Sequence, residues 1–455
     1  MSQSAGTRRD FIRVASLAAA ALAMPRRHDG AAPSSATGRR VFSEISASLY
    51  AWELHDEGIE NILDNLQRMA AVNSVYLIAL MHKEKRPLTS DVFPHNPVRK
   101  TWNAEDSRIY WHPDLKRYGR IKPRLSDYDW LNKTDWLKAM IEAARKRGLK
   151  TGVEISHTVL DAERGEKEFA DCMQRDVRGR PVVNWGRAHP VCLNHPDVLE
   201  YVLGLFSDLA ANYDVDYLQT CLIPFYDGGA SPARPLELFA RGGCFCDACR
   251  GAAKAAGFDF EKALAVLRPF AEDLPQAGKE RAGRATGPEP PELSQWLAFR
   301  RDSVTRFYRA IHSRIHAIRP KGDLRLNVFM RNPQVGGMDL RALKPHLDSI
   351  RVCDYTEQSG NMAALSGKRQ WLTEVREAVG REMPVLSAVA VRPKATPEII
   401  REGVKVAAEC GVNGITLGHY DGAEFPMLRA VREGLEVAKV DITPAVGMIL
   451  GKEAP

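Results

Sequence analysis

The chain has 455 residues, 44% hydrophobic and 27% charged, a balance that describes a globular protein with a core large enough to need no staples. Its formal net charge is +7, yet Arg8, Arg9, Arg13, Arg26, Arg27, Arg39 and Arg40 all precede the first expected strand. No basic stripe interleaved with aromatics follows, so the charge reads as a solvated surface and nucleic acid is not an expected partner.

From Thr7 the chain reads "TRRDFIRVASLAAAALAMP", in which Arg8 and Arg9 precede a short apolar run from Val14 to Met24. That run falls short of the about 20 apolar residues that span a bilayer. With small residues at Ala21-Leu22-Ala23 it looks like a twin-arginine export signal over residues 1–24. The expectation is a mature protein delivered by the twin-arginine machinery, periplasmic or secreted, with no membrane segment. Residues 25–40 have linker composition, 41–440 form the expected fold, and 441–455 are a tail.

From there short apolar runs alternate with helical patterns. "EISASLYAW" (Glu44 to Trp52), "SVYLIAL" (Ser74 to Leu80) and "KTGVEISH" (Lys150 to His157) read as the first three strands. "VDYLQTCLI", "LRLNVFM", "SIRVCD", "PVLSAVAV" and "GITLGHY" supply five more, beginning at Val215, Leu324, Ser349, Pro384 and Gly414. Amphipathic stretches such as "TDWLKAMIEAARKRGL", with an N-cap and a terminal Gly, separate them. Apolar strands alternating with helices argue for a parallel sheet, and eight such units for an α/β fold of the closed (β/α)8 TIM-barrel type. A doubly wound open sheet is the runner-up, but no G-x-G-x-x-G follows the first strand. The loops after the strands are long, and the one after the fourth carries a Cys-rich insertion.

That insertion contains "GGCFCDACRG", with Cys244, Cys246 and Cys249. Three thiols this close form a metal site, a disulfide with a free thiol, or an iron–sulfur centre. Pairing near neighbours is geometrically strained, whereas a tight turn can aim three thiolates at one tetrahedral ion. A closed zinc site needs a fourth ligand. Cys192 in "RAHPVCLNHPDV" is the best placed, with His189 and His195 as fallbacks, because the loops after strands three and four share a barrel face. Cys221, Cys353 and Cys410 read as small buried hydrophobes.

The order "CLNHPDV", helix, "YDVDYLQT", loop, "CFCDAC" resembles the zinc-binding β-galactosidases of glycoside hydrolase family 42, and equally a set of glycoside-hydrolase-like barrel proteins. The resemblance covers Arg187 to Gly257 at motif level. It implies a structural zinc held by Cys192, Cys244, Cys246 and Cys249. The galactosidases carry a Glu acid at the end of the fourth strand and a Glu nucleophile near the seventh. Here the fourth strand runs "LQTCLIPFYDGG" and the seventh ends at Arg392 and Lys394, so that acid pair does not carry over.

Candidate catalytic groups therefore come from other strand ends, since barrel active sites gather at the C-terminal face. Asp354 and Asp421 are the expected carboxyl pair, with Glu154 across the mouth and Glu357 beside it. Trp52, His157, Trp185, Asn327, Tyr355, His419 and Tyr420 are the expected sugar-binding groups, aromatic faces stacking on a ring while polar neighbours bond its hydroxyls. The expected function is an exported glycoside hydrolase with a carbohydrate substrate. Alternatives are a sugar isomerase, epimerase or lyase whose divalent metal is held by Glu154, His157, Asp354 and His419, or a barrel that binds a glycan without cleaving it. Neither a G-x-S-x-G nor a phosphate loop occurs. The sugar, the linkage and the oligomeric state are left open.

Overall fold

The computed structural model describes residues 40–81, 93–100, 102, 107–160, 162–182, 189–221, 224–226, 240, 242–271, 291–329 and 336–442. The expected signal at 1–24, Trp185 and nearly all of the tail lie outside these residues.

Eight strands close on themselves. They are β1 (Glu44–Leu49), β2 (Ser74–Leu80), β3 (Lys150–Ser156), β4 (Tyr217–Cys221), β5 (Asp323–Val328), β6 (Ser349–Val352), β7 (Val385–Ala390) and β8 (Gly414–Gly418). Each pairs in parallel with the next, and β8 returns to β1 with Ile415 opposite Ile45, so the barrel has no open edge. The helices between them are α1 (Ile59–Ala70), α2 (Trp136–Lys146), α3 (Pro196–Asn212), α4 (Ser294–Ile318), α5 (Leu340–Leu343), α6 (Leu365–Val379), α7 (Pro397–Glu409) and α8 (Phe425–Val437). Among the described residues the segment after the fifth strand forms the single turn α5 and then a 3₁₀ turn at Lys344–His346. Pro345 explains the stop, because it cannot supply a helix-interior N–H. Among the described residues no helix is long and apolar enough to cross a membrane.

Local chemistry sets the helix starts. Asp135 caps α2 by accepting the Lys138 amide, and Thr396 caps α7 ahead of Pro397 at the first helical position. In α1 the buried residues Ile62, Leu63, Leu66 and Ala70 recur at helical spacing and pack on the barrel wall. The chain beyond the barrel closes with Arg40–Phe42 paired in parallel to Val440–Ile442.

The barrel interior departs from the usual filling of Val, Ile and Leu. Side chains alternate along each strand, so the outward Ile45, Val75, Val153 and Leu324 meet the helices while the inward positions carry polar groups. At the floor Arg325 of β5 reaches across to Glu44 of β1, its Nη1 donating to Oε1 at 2.6 Å and its Nη2 to Oε2 at 3.0 Å. The guanidinium also lies 3.7 Å from the Tyr217 ring centroid and donates to Ser349 Oγ at 2.9 Å. Burial alone would push the Glu44 carboxyl up, but the Arg325 charge and hydrogen bonds outweigh it and hold the group below its ordinary value. Tyr217 fits because Gly152 stands opposite it: a Cβ there would lie 2.1 Å from the Tyr217 ring.

One level higher, Glu154 of β3 accepts from Gln219 of β4 and from Asn327 Nδ2 of β5 at 3.1 Å, with Arg351 Nη1 of β6 3.5 Å away. Arg351 in turn donates to Thr416 Oγ1 at 2.7 Å and to Tyr355 Oη at 2.6 Å. Breaking one member of such a buried pair costs about 3–5 kcal/mol, because the partner charge is left without compensation.

Candidate active site

Above these two layers the strand ends bring together groups from β1, β6, β7 and β8. The short helix Ala51–Glu57 follows β1 directly, and its third residue, Glu53, folds back so that Oε1 accepts the Tyr50 amide at 2.7 Å. Its other oxygen has no hydrogen-bond partner among the described residues, although Glu53 is only 1% exposed. Asp421, three residues beyond the end of β8, is equally buried, and neither of its carboxylate oxygens has a partner. Arg392, just past β7, is buried with Nε and Nη2 unpartnered. Native structures rarely leave buried polar atoms unsatisfied, and three such groups at one barrel mouth mark a place built for something else to bind.

The electrostatics of the two carboxyls differ. Burial pushes Asp421 up to about 6; Arg392 opposes the rise and Glu57 adds to it. Glu53 is raised well above the ordinary carboxyl range, first by burial and then by the Asp421 and Glu57 charges. Both carboxyls are thus raised, and Glu53, which burial and two neighbouring carboxyl charges all push up, is the group held protonated in preference to Asp421, which Arg392 pulls back down. A pair whose environments separate the two titrations is how a fold assigns an acid and a base.

His419 and Tyr355 border this cluster and are half-buried. The His419 Nδ1 lies 2.8 Å from Ser48 Oγ and 3.2 Å from Tyr50 Oη. Burial, then Arg392 and Arg351, lowers its pKa far enough to keep the imidazole neutral. Tyr355 packs against Gly418, where a Cβ would lie 2.5 Å from the ring, so the absence of a side chain at the end of β8 makes room for it.

The other sequence-derived candidates fall in different places. Glu154 and Asn327 hold each other in the barrel interior below the mouth. Asp354 turns onto its own loop, Oδ1 accepting the Thr356 amide at 2.9 Å and its hydroxyl. Glu357 points away from the mouth: it pairs with Lys368 of α6, accepts the Ala390 amide at 3.1 Å and presses on Gly403 of α7. Its place in the expected catalytic set is therefore corrected to a strut between the sixth and seventh units. His157 is corrected likewise. Its ring packs between Phe206 of α3 and Phe307 and Tyr308 of α4, Nδ1 reaches the Cys221 carbonyl at 2.9 Å, and burial lowers its pKa to about 4. Trp52 is fully enclosed, one face on Tyr50 at 4.4 Å and its ring set at right angles to Tyr110. Tyr420 faces α1, where its hydroxyl donates to Glu57 Oε2 at 3.1 Å and accepts from Asn65 at 3.0 Å. Glu53, Glu57 and Arg392 were missed as site residues. The available signal was a Glu immediately after the first apolar strand, with no basic neighbour in sequence to pair with it.

The cysteine motif folds as a separate unit on the same face. Cys246 starts the helix Asp247–Ala255, which contains Cys249, and Cys192 comes from the loop between β3 and α3. The sulfurs of Cys192, Cys244, Cys246 and Cys249 all lie within 4.8 Å of one another, and all four residues are buried. The loop is pinned by the Gly243 amide donating to the Tyr226 carbonyl at 2.6 Å and by Phe245 stacked on Trp296 of α4. No cysteine forms a disulfide, and the four sulfurs surround a space suited to one tetrahedral ion. His189 and His195, the fallback ligands, are outside this group; His189 donates or accepts at Val182 and Glu166 instead.

No protein-family model and no curated protein matches the chain. Solved structures do. An α-L-fucosidase from Paenibacillus thiaminolyticus aligns over 86% of this chain and 49% of its own, with 15% identity and a TM-score of 0.55. The PgaB glycoside hydrolase domain from Bordetella bronchiseptica aligns over 87% and 99%, with 14% identity and a TM-score of 0.55. A β-galactosidase from the haloarchaeon Halorubrum lacusprofundi aligns over 87% and 58%, with 14% identity and a TM-score of 0.54. The chain thus spans about half of the fucosidase and nearly all of the PgaB domain. At these identities the likeness establishes the (β/α)8 barrel fold.

The raised Asp421 carboxyl has a cost in stability. Its folded-state pKa exceeds its unfolded value, so the folded state is favoured below about pH 4 and loses that contribution as pH rises through about 6. Asp421→Asn removes the ionisation. The variant is expected to melt a few degrees higher than the parent at pH 8, on the order of 2–3 kcal/mol, with the difference vanishing at pH 4. Calorimetry at the two pH values measures it, and equal melting temperatures at pH 8 would show that Asp421 is not held in this strained state.

Proposed function

We propose that the chain is a carbohydrate-active enzyme, a glycoside hydrolase, that works with Glu53 as proton donor and Asp421 as the ionised carboxylate. The observation that carries this reading is the pair of buried, incompletely bonded carboxyls with separated titrations at the barrel mouth. Glycoside hydrolysis needs one protonated and one ionised carboxyl flanking the scissile bond. Glu53 would give its proton to the leaving oxygen, and Asp421 would stabilise or attack the oxocarbenium-like centre or activate water against it. Tyr355 and His419, half-buried at the rim, offer ring faces for the sugar, and Arg392 offers donors for its hydroxyls. The solved neighbours are described as a fucosidase, a galactosidase and a glycoside hydrolase domain, which supports the same class of substrate.

The metal-dependent alternative asks His157 to act as a ligand at the mouth, and its ring is enclosed between α3 and α4. Among the described residues no three His, Cys, Asp or Glu groups converge at the mouth. Export by the twin-arginine route, with a periplasmic or secreted destination, belongs to the same proposal and rests on residues 1–24. So does the family 42 likeness, supported by the four converged cysteines. In that reading Cys192, Cys244, Cys246 and Cys249 hold a structural zinc that ties the β3 and β4 loops together at the edge of the mouth.

Two measurements follow. Against a panel of aryl glycosides the enzyme is expected to turn over at least one, with kcat/KM rising through about pH 6 as Asp421 ionises and falling at higher pH as Glu53 loses its proton. Asp421→Asn and Glu53→Gln should each lower kcat/KM by about 10²- to 10⁴-fold. Saturable glycan binding with no turnover would leave a binding protein in place of an enzyme. For the knot, Cys246→Ser is expected to lower zinc content and melting temperature together. Zinc that stays at one per chain in that variant would remove Cys246 from the ligand set.

A further inference from the structure

The opposite end of the barrel carries a second cluster that the proposed reaction does not use. Helix α4 ends with His312 and His316, four residues apart and so on one face of the helix. Their ring centroids are 4.1 Å apart. Facing them is Asp348, the residue before β6 and hence on the N-terminal face, away from the mouth. His316 Nε2 lies 3.0 Å and His312 Nε2 3.6 Å from the same Asp348 oxygen, Oδ2. One ligand atom from each of the three residues falls within 4.8 Å of the others. All three side chains keep a fifth to a quarter of their surface exposed, so solvent reaches the site.

The hydrogen bonding decides what occupies the gap. His316 Nδ1 lies 3.0 Å from the Pro320 carbonyl, which can only accept, so Nδ1 carries the hydrogen. Nε2 then faces a carboxylate oxygen at 3.0 Å, a contact that either a second ring proton or a metal ion shared by the two atoms completes. A ring nitrogen whose partner nitrogen donates to a backbone carbonyl is also the arrangement in which histidine binds metals, because that bond sets the tautomer and the ring orientation. Asp348 is oriented in the same way: its Oδ2 accepts the Leu324 amide at 2.9 Å and its own amide donates to the Leu324 carbonyl at 3.1 Å.

We infer that His312, His316 and Asp348 form a binding site for a first-row divalent cation such as Zn²⁺ or Ni²⁺. Two imidazole nitrogens and one carboxylate suit these ions, and the exposed side leaves a coordination position for water. The site joins the end of α4 to the start of β6. Among the described residues the crossover between β5 and β6 includes the single turn α5 and the 3₁₀ turn ending at His346. A cation there would clip α4 to the start of β6, a structural role separate from the cysteine knot.

The test uses the whole chain with Ni²⁺ as the probe. An imidazole and carboxylate site takes Ni²⁺ readily, and the cysteine knot is kept in its zinc-bound form by omitting strong chelators. Titration calorimetry and thermal melting are read on the parent, on His312→Ala/His316→Ala and on Asp348→Asn. The parent is expected to bind one Ni²⁺ more than the double variant and to melt higher with the ion present. Asp348→Asn should weaken binding at least about tenfold while leaving the metal-free melt nearly unchanged. Equal Ni²⁺ stoichiometry and equal melting shifts in the parent and the double variant would overturn the site and leave a proton as the bridging cation. Glycosidase activity is not part of the readout, so the inference stands or falls apart from the proposed reaction.

Discussion

The Glu44–Arg325 pair spans the barrel from β1 to β5, strands on opposite sides of the closed sheet. A polar group taken out of water must find a partner inside, and a charge must find one of opposite sign. Because this barrel fills its floor with charge instead of branched apolar side chains, each strand's position is tied to a specific partner across the lumen. The Tyr217 ring under Arg325, the missing side chain at Gly152 and the Ser349 hydroxyl all follow from fitting one guanidinium into that space. Such a pair contributes little net stability against an apolar filling, but it tolerates few other registers.

The next layer repeats the device with Glu154, Gln219, Asn327 and Arg351, and here every charge is met. At the rim the pattern stops. Glu53, Asp421 and Arg392 are as buried as the groups beneath them, yet their atoms are incompletely bonded. The contrast within one molecule gives the rim its meaning. The two lower layers bond their buried charges, whereas Glu53, Asp421 and Arg392 at the C-terminal face, where barrel enzymes place their chemistry, are left incompletely bonded. Arg351 links the two regions, bonded to the lower network and, through Tyr355, to the edge of the mouth.

Much of the fold was legible in the sequence because eight runs of β-branched and apolar residues recur between amphipathic stretches. "SVYLIAL" became β2 residue for residue, and the other strands formed within the runs that announced them, except β5, which begins one residue early at Asp323. The cysteine spacing was equally readable, since three thiols in one turn leave few geometries, and the structure converges Cys192 with them. The site was harder. His157 and Glu357 stand at or just past strand ends, as mouth residues do, but alternation turns one ring outward against α3 and α4 and Lys368 draws the other carboxyl behind β7. Glu53 was hidden for the reverse reason. It lies in a helix that begins one residue after β1's exit, and only the fold shows that its carboxyl returns to the mouth. Arg392 lies far along the chain from the acids it faces, and Lys368 meets Glu357 from a different element, α6, so these pairings depend on tertiary contact and not on local pattern.

The chemistry proposed for the barrel mouth depends on Glu53 and Asp421 forming a pair with separated titrations. Following the side-chain carboxyl carbons by NMR across pH in the parent and in Asp421→Asn tests it most directly. Asp421 is expected to titrate near 6, Glu53 to keep its proton well above the ordinary carboxyl range, and Glu53 to move down when Asp421 is neutralised. Two carboxyls titrating independently at ordinary values near 4 would contradict it.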